Sequence, residues 1–531
     1  MKPLRKVSAL AEALSPLQHP PYAVLWTATV VTNIGWWMYT AAAAWLMTDL
    51  STDPLMVSLV QALSSLPMFL LALPAGALAD IVDKRRLLIW AECGISVIAA
   101  TLATLVWLGR ITPVTLLIFT FLLGAGAAIV TPPLQSIVPL LIRRKHELPA
   151  AVALNSVGMN ISRAVGPALV GVLTVGVGVA APFWINAIAN IGSIGGLLWW
   201  RPPPKRSSRL PAERFLAAIR TGARYARNNP LLRATLFRAI GFFLFASAYW
   251  ALLPLVARTQ IGGGPTLYGI LLSAIGGGAI VGAMLLPRLR ATFTPNALVA
   301  GAAVGTALAL GMFGVAREPW TALVASLLAG SCWITAVSSL NVSAQFSLPD
   351  WVRGRGLAIY VTTFSGALAI GSALWGGLAS IIGLSLTHFA AAACALLAIP
   401  LTRHWKLQGS GAIDLAPSMH WPTPVVAGQI DDDAGPVLVT IEYAVLPDQR
   451  EPFLAALYRL SAQRRRDGAY AWGVFEDAAE RGRFIETYLV ESWLEHLRLH
   501  ERVTRADHAV EESVHSFLAG APKTTHLVTP A

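Results

Sequence analysis

The chain has 531 residues, 55% of them hydrophobic and 13% charged, with 40 Lys and Arg against 28 Asp and Glu for a net charge of +12. A mean hydropathy of +0.60 excludes an ordinary soluble protein, because so apolar a chain cannot cover itself with polar surface in water. The basic excess needs no nucleic-acid partner, since it gathers in short segments between long apolar runs, where membrane topology and attraction to anionic lipid account for it.

Twelve runs are long enough to cross a hydrocarbon core as helices, at 22–48, 55–79, 87–108, 113–142, 148–176, 180–200, 234–257, 266–287, 295–315, 319–346, 357–382 and 385–402. Lipid offers no partner to backbone N–H and C=O groups, so each run must be helical. Twenty-four Lys and Arg flank the spans on one side, against Arg110, Arg258 and Arg317 on the other. That asymmetry predicts a multi-pass inner-membrane protein with both termini in the cytoplasm. Cys93, Cys332 and Cys394 all fall inside spans, which suits small apolar filler rather than disulfides or a metal cluster.

In the first span, Asn33 is an intramembrane polar group and Asp49 stands at the outer end, while Trp36, Trp37 and Tyr39, with Tyr249 and Trp250 of the seventh span, offer aromatic walls to a flat substrate. Between spans two and three the chain reads Gly76-Ala-Leu78-Ala-Asp80-Ile-Val-Asp83-Lys84-Arg85-Arg86. Gly76 would let helices approach closely, and Asp80 could latch a cytoplasmic gate by pairing with Arg or accepting from a helix N-terminus. This loop resembles the signature of the major facilitator superfamily, with Ile81 where a basic residue is common and Asp83 where a glycine is common.

Glu92, in span three, is with Asp49 the acid expected to carry protons, since a carboxyl in apolar surroundings can bind and release one near neutral pH. Span five holds Asn155, Gly158, Asn160, Arg163, Gly166, Pro167 and Gly171. Gly158, Gly166, Pro167 and Gly171 resemble part of the fifth-helix motif of proton-coupled exporters in the superfamily, where small residues permit tight packing and proline bends the helix. Arg163 lies about 15 residues into its span, near mid-membrane by helical rise. A charge there costs about 2.5–3.5 kcal/mol, so it should face a wet cavity, holding either an anionic substrate or a carboxylate. Gln135, Asn186, Asn190, Asn341 and Gln345 complete the intramembrane polar set, divided between interhelical bonding and the substrate path.

The stretches Gln135–Arg143 and Gln345–Arg353 share a Gln-x-x-x-Pro-x-x-x-Arg frame 210 positions apart, and Gly166 and Gly376 keep the same interval. The membrane part is therefore a duplicated unit, as expected of a transporter that moves one half against the other around a midplane site. The halves are 1–200 and 234–402, joined by a basic segment, 201–233, whose Phe215, Leu216, Ile219 and Tyr225 read as an interfacial helix.

A linker, 403–436, rich in Gly, Pro, Ser and Asp, leads to residues 437–518, which alternate as β-α-β-β-α and predict a small cytoplasmic α+β unit, with 519–531 as a tail. This unit resembles the ferredoxin-like antibiotic-biosynthesis monooxygenase domains. The resemblance implies a pocket over the sheet with Trp472 and His496, and leaves a homodimer open because such units usually pair. His496 and His500 share a helical face, but no third ligand is apparent, so no metal is expected.

With this tail, the chain resembles the superfamily branch that includes the enterobactin exporter and secretion effectors. The fold expected is all-α in the membrane, twelve transmembrane helices in two pseudo-symmetric six-helix bundles, plus the α+β domain. No Gly-x-x-x-x-Gly-Lys-Ser/Thr loop is present, so a gradient rather than ATP should drive it. The expectation is a secondary exporter, a proton antiporter of a small amphiphilic molecule such as a siderophore or drug, without catalytic residues or cofactor. Import, or a tail domain that binds or modifies the transported aromatic compound, are the alternatives.

Overall fold

The computed structural model describes residues 14–142, 144–202, 215–409 and 414–530, apart from 419, 422, 423, 425, 427 and 429. The side chains of 77, 80, 81, 145, 215–219 and 447 lie outside that description, and with them the expectations for Asp80, Phe215, Leu216 and Ile219.

Among the described residues, twelve helices of 19 residues or more form the membrane part: α1 (Pro20–Leu50), α2 (Pro54–Ile81), α3 (Lys84–Trp107), α4 (Pro113–Leu141), α5 (Leu148–Gly176), α6 (Ala181–Trp199), then, after a shorter α7 (Phe215–Asn228), α8 (Pro230–Leu255), α9 (Pro265–Thr292), α10 (Pro295–Val315), α11 (Pro319–Phe346), α12 (Arg353–Ile382) and α13 (Leu384–Thr402). Eleven are long and apolar enough to span a bilayer. The exception is α1, whose five threonines, Asn33 and paired tryptophans dilute its apolar character over 31 residues. Seven of the twelve begin at proline, whose missing N–H is no loss at a first turn. Side chains of Asp53, Asp83, Thr112 and Thr294 cap α2, α3, α4 and α10.

The duplication is visible in the helix starts, for α8 and α9 begin 210 and 211 positions after α1 and α2. Contacts between halves obey it too. Helix α5 packs on α9, and its repeat partner α12 packs on α2, the partner of α9. Both contacts use residues toward the ends farthest from the basic loops: Ala164 to Gly171 against Thr266 to Gly276, and Ser58 to Phe69 against Gly366 to Gly376. On that same side Asp49 pairs with Arg258, which stands in a π-helical turn ending α8, and Trp45 stacks on Tyr268 at 5.9 Å.

A second compact unit comprises 213–235, 342–359 and 407–531. Its four-stranded antiparallel sheet has the order β2 (Tyr470–Glu476), β3 (Arg483–Val490), β1 (Val437–Ala444), β4 (Lys523–Val528). Helix α14 (Arg450–Asp467) lies between β1 and β2 in the chain, and α15 (Trp493–Arg502) and α16 (Arg505–His515) between β3 and β4. This is the ferredoxin-like order. Two expectations need correction. The single helix over 492–518 is broken at Thr504, which opens α16 with a reciprocal capping box to Asp507. The presumed tail contains β4, paired along β1 from Val437↔Val528 to Glu442↔Lys523; six residues on a sheet edge leave too short an alternation to stand out.

From residue 414 onward, the described part of the linker adheres to this domain rather than standing free. Ser418 donates its N–H to the Val503 carbonyl, and Trp493 and Leu494 donate theirs to Ala434 and Asp432. Helix α7 and the turn between α11 and α12 also belong to the unit: Asn229 donates to the Ser347 carbonyl at 2.8 Å, Tyr225 meets Trp351 edge-on at 5.6 Å, Arg466 lies over Tyr225, and Arg502 lies 4.6 Å from the Trp351 ring.

Charged groups pass through the domain core. Arg464 donates to Glu511 at 2.9 Å and approaches Glu486, which accepts from Tyr443 and Trp472 at 2.6 and 2.7 Å. Neither Trp472 nor His496 lines the small cavity found among the described residues of this domain. The cavity beside Trp421, Arg464, Tyr488 and Glu511 holds about 20 Å³, enough for about one water.

Burial alone would push the Glu511 carboxyl up, but Arg464 and hydrogen bonds from Trp421 and His420 outweigh it and hold it down to about 2. A carboxyl depressed in the folded state stabilises fully above its unfolded value of about 4.3 and loses that contribution as pH falls toward 2. Acidification across that window should therefore raise hydrogen exchange in α14 and α16 of the full chain, and Glu511→Gln should flatten the dependence.

Candidate functional site

A cavity of about 450 Å³ opens inside the first half, a size suited to a small-molecule ligand. Its lining runs along α1 from Tyr22 to Trp37, along α4 from Gly124 to Leu141, and along α5 from Asn155 to Arg163, so it occupies the part of the bundle nearest the basic loops. Tyr22, Trp26, Thr29, Asn33 and Trp36 or Trp37 recur at helical spacing and place one continuous face of α1 on it.

Its polar groups are poorly satisfied by the protein. The Arg163 guanidinium lies 5.1 Å from the Trp37 ring centre, its Nε is buried without a hydrogen-bond partner, and no ion pair to it occurs among the described residues. Glu92 is 4% exposed; Ser193 donates to one carboxyl oxygen at 3.2 Å and the other has no partner. The amide nitrogens of Asn186 and Asn190, and Trp26 Nε1, are likewise buried and unpartnered. Buried polar atoms left unmatched in a cavity cost stability, which a ligand or water with acceptor groups recovers. Trp26, Trp36, Trp37, Met68 and Met159 make the rest of the wall apolar and aromatic.

Of the polar residues singled out in the sequence, Asn33, Glu92, Gln135, Asn155, Arg163, Asn186 and Asn190 line this cavity. The others do not. Asp49 is held by Arg258, and Asn160 donates back to the Ser156 carbonyl of its own helix at 2.8 Å. Asn341 and Gln345 lie on α11 outside the lining. A site between the halves was the expectation, yet every lining residue belongs to the first half. In the second half Phe243, Tyr249, Trp250, Trp333 and Phe364 pack ring against ring, and Trp250 faces Trp37 at 6.4 Å. Tyr22, Trp26 and Ser193 were missed; the helical stripe on α1 was the signal for the first two.

The glycines of α5 work on two faces. A Cβ at Gly158 would meet Val30 at 2.7 Å, and at Gly166 would meet Trp37 Cβ at 2.6 Å and the Ile34 carbonyl at 3.0 Å, so both seat α5 on α1. Gly171 and Pro167 face α9: a Cβ at Gly171 would meet Thr266 Cα at 2.7 Å, and one at Gly269 would meet the Pro167 carbonyl at 2.7 Å. Ser273 completes that seam by donating to the Ala164 carbonyl.

In the loop after α2, no atom of the described residues lies within 4 Å of a Cβ built on Gly76, and Leu78 is exposed. Asp83, where the family favours glycine, caps α3 by accepting from the Arg86 N–H at 2.9 Å. Lys84 starts that helix. Arg85 donates to the Leu197 and Leu198 carbonyls at 2.7 and 2.6 Å, covering the free C-terminal end of α6.

The family model described as transmembrane secretion effector matches residues 11–531, tail domain included. The chain belongs to the transmembrane secretion effector family. Among its curated relatives are the enterobactin exporters EntS of Citrobacter koseri and Shigella boydii serotype 18, each 26% identical over 374 residues, 68% of this chain and 86% of the relative. Among solved structures, a POT family transporter in complex with a thioalcohol-conjugated peptide aligns with a TM-score of 0.58 at 12% identity, covering 72% of this chain and 95% of that one. A bacterial homologue of the human lysosomal transporter Spinster, inward-facing and occupied, gives 0.58 at 13% identity, covering 73% and 97%. The fold is that of the major facilitator superfamily, and this secretion-effector family member is a multi-pass membrane transporter.

Proposed function

We propose that the protein exports a small amphiphilic molecule with a flat apolar body and an anionic or acceptor-rich end, by alternating access and in exchange for protons. The observation that carries this reading is the Arg163 guanidinium, placed over the Trp37 ring and without an ion-pair partner among the described residues, in a 450 Å³ cavity beside the unpartnered amide nitrogens of Asn186 and Asn190. An anion bound there gains charge-assisted hydrogen bonds, and an aromatic body gains the tryptophan walls. Glu92 is the proton carrier in this reading, buried on the same cavity with one oxygen free.

The halves pack together away from the basic loops. With those loops and both termini in the cytoplasm, the cavity faces inward, ready to load cargo. The relatives named as enterobactin exporters support outward transport and a siderophore-like cargo.

Inside-out vesicles test this. With an acid interior they should accumulate a catecholate siderophore, lose that uptake when a protonophore is added, and lose coupling in Glu92→Gln. Accumulation only in right-side-out vesicles would establish import instead.

A further inference from the structure

The tail domain brings a third imidazole to two that already share a helical face. His496 and His500 lie one turn apart on α15, and His526 comes from the middle of β4. One ring nitrogen from each lies within 4.8 Å of the other two, and the His496 ring centre is 5.0 Å from that of His500 and 4.6 Å from that of His526. His496 is 1% exposed, yet neither of its nitrogens has a hydrogen-bond partner. A buried imidazole normally satisfies at least one nitrogen, so this ring is poised toward something the described residues do not supply.

We propose that His496, His500 and His526 form a binding site for one first-row divalent cation of the zinc type. Imidazole nitrogens suit such ions, and three of them with an open fourth position form a recurring zinc ligand set. Metal–nitrogen bonds of about 2.0–2.1 Å require the nitrogens to draw somewhat closer than they stand, which side-chain rotation of the half-buried His500 and His526 permits. The carboxylates flanking them on α15 are not needed as ligands, because Glu495 is engaged by Arg498 and Arg502. The fourth position is left for water or an exchangeable anion.

Helix α15 gives the site a route to the rest of its unit. It follows Glu491, which faces Arg220 and Arg224 of α7, and it ends at Arg502 over Trp351. Drawing α15 toward β4 would act on both contacts.

The test is zinc binding by the full chain in detergent, purified through a tag without histidine. About one equivalent of Zn²⁺ should remain after dialysis, Co²⁺ should give the intense visible bands of a tetrahedral site, and Zn²⁺ should slow hydrogen exchange in α15 and β4. His500→Gln and His526→Gln, both at half-buried positions, should each weaken zinc binding at least tenfold while the apo protein keeps its exchange pattern elsewhere. Wild-type protein that retains no zinc, or retains it equally in both variants, overturns the proposal. So does a cobalt spectrum of the octahedral aquo type.

Discussion

Replacing Arg163 with alanine should lower uptake into inside-out vesicles by roughly 10- to 150-fold, corresponding to about 1.5–3 kcal/mol for hydrogen bonds to a charged group. The same change should leave the thermal stability of the detergent-solubilised protein unchanged or higher. The reason is that Arg163 has no ion-pair partner among the described residues, so its removal deletes a buried cation without stranding an anion. A structural ion pair would behave in the opposite way, losing stability first. Arg163→Lys should fall between, because lysine keeps the charge but neither the planar fork nor the stacking on Trp37. Full transport by Arg163→Ala would remove the guanidinium from the mechanism.

The second large effect should come from Gly269→Val. A Cβ there meets the Pro167 carbonyl at 2.7 Å and the Gly171 N at 3.4 Å, both backbone atoms of α5 that cannot swing aside as a side chain would. Overpacking costs about 1–3 kcal/mol, and it falls only on the state in which α5 and α9 are pressed together. The equilibrium should therefore shift about 5- to 150-fold toward the state open on that side. Ser58 reports the shift, since it is fully buried against Gly376 at the companion seam. In a background where Cys93, Cys332 and Cys394 are replaced, Ser58→Cys should resist a membrane-impermeant thiol reagent, and adding Gly269→Val should make it reactive. An unreactive double variant would sink the two-seam description.

The sequence was most legible where the membrane allows least choice. Each span had to be a helix, and the 210-residue interval between Gly166 and Gly376 reappears in the spacing of helix starts. Rotation about a helix axis was harder to read. Asn155, Met159 and Arg163 fall four residues apart and share the cavity face, whereas Asn160, five residues beyond Asn155, is turned by roughly 140° and bonds its own backbone. Polarity alone could not separate them. Asp49 lies outside the cavity for a different reason, because its partner Arg258 is in the other half and only the tertiary fold joins them. His526 was invisible in the same way, being brought to α15 by an edge strand outside the range first assigned to the domain.

The fate of Tyr225 and Trp351 bears on how this protein can be dissected. Their rings meet each other, and the guanidinium groups of Arg466 and Arg502 lie over them from the α+β domain. A version ending after α13 would strip those cations away and bare an aromatic pair on a helix and a turn that stay behind. Such a truncate should be sticky and prone to self-association, so a poor yield would say little about pumping; trimming the three guanidinium and ring contacts singly is the cleaner surgery.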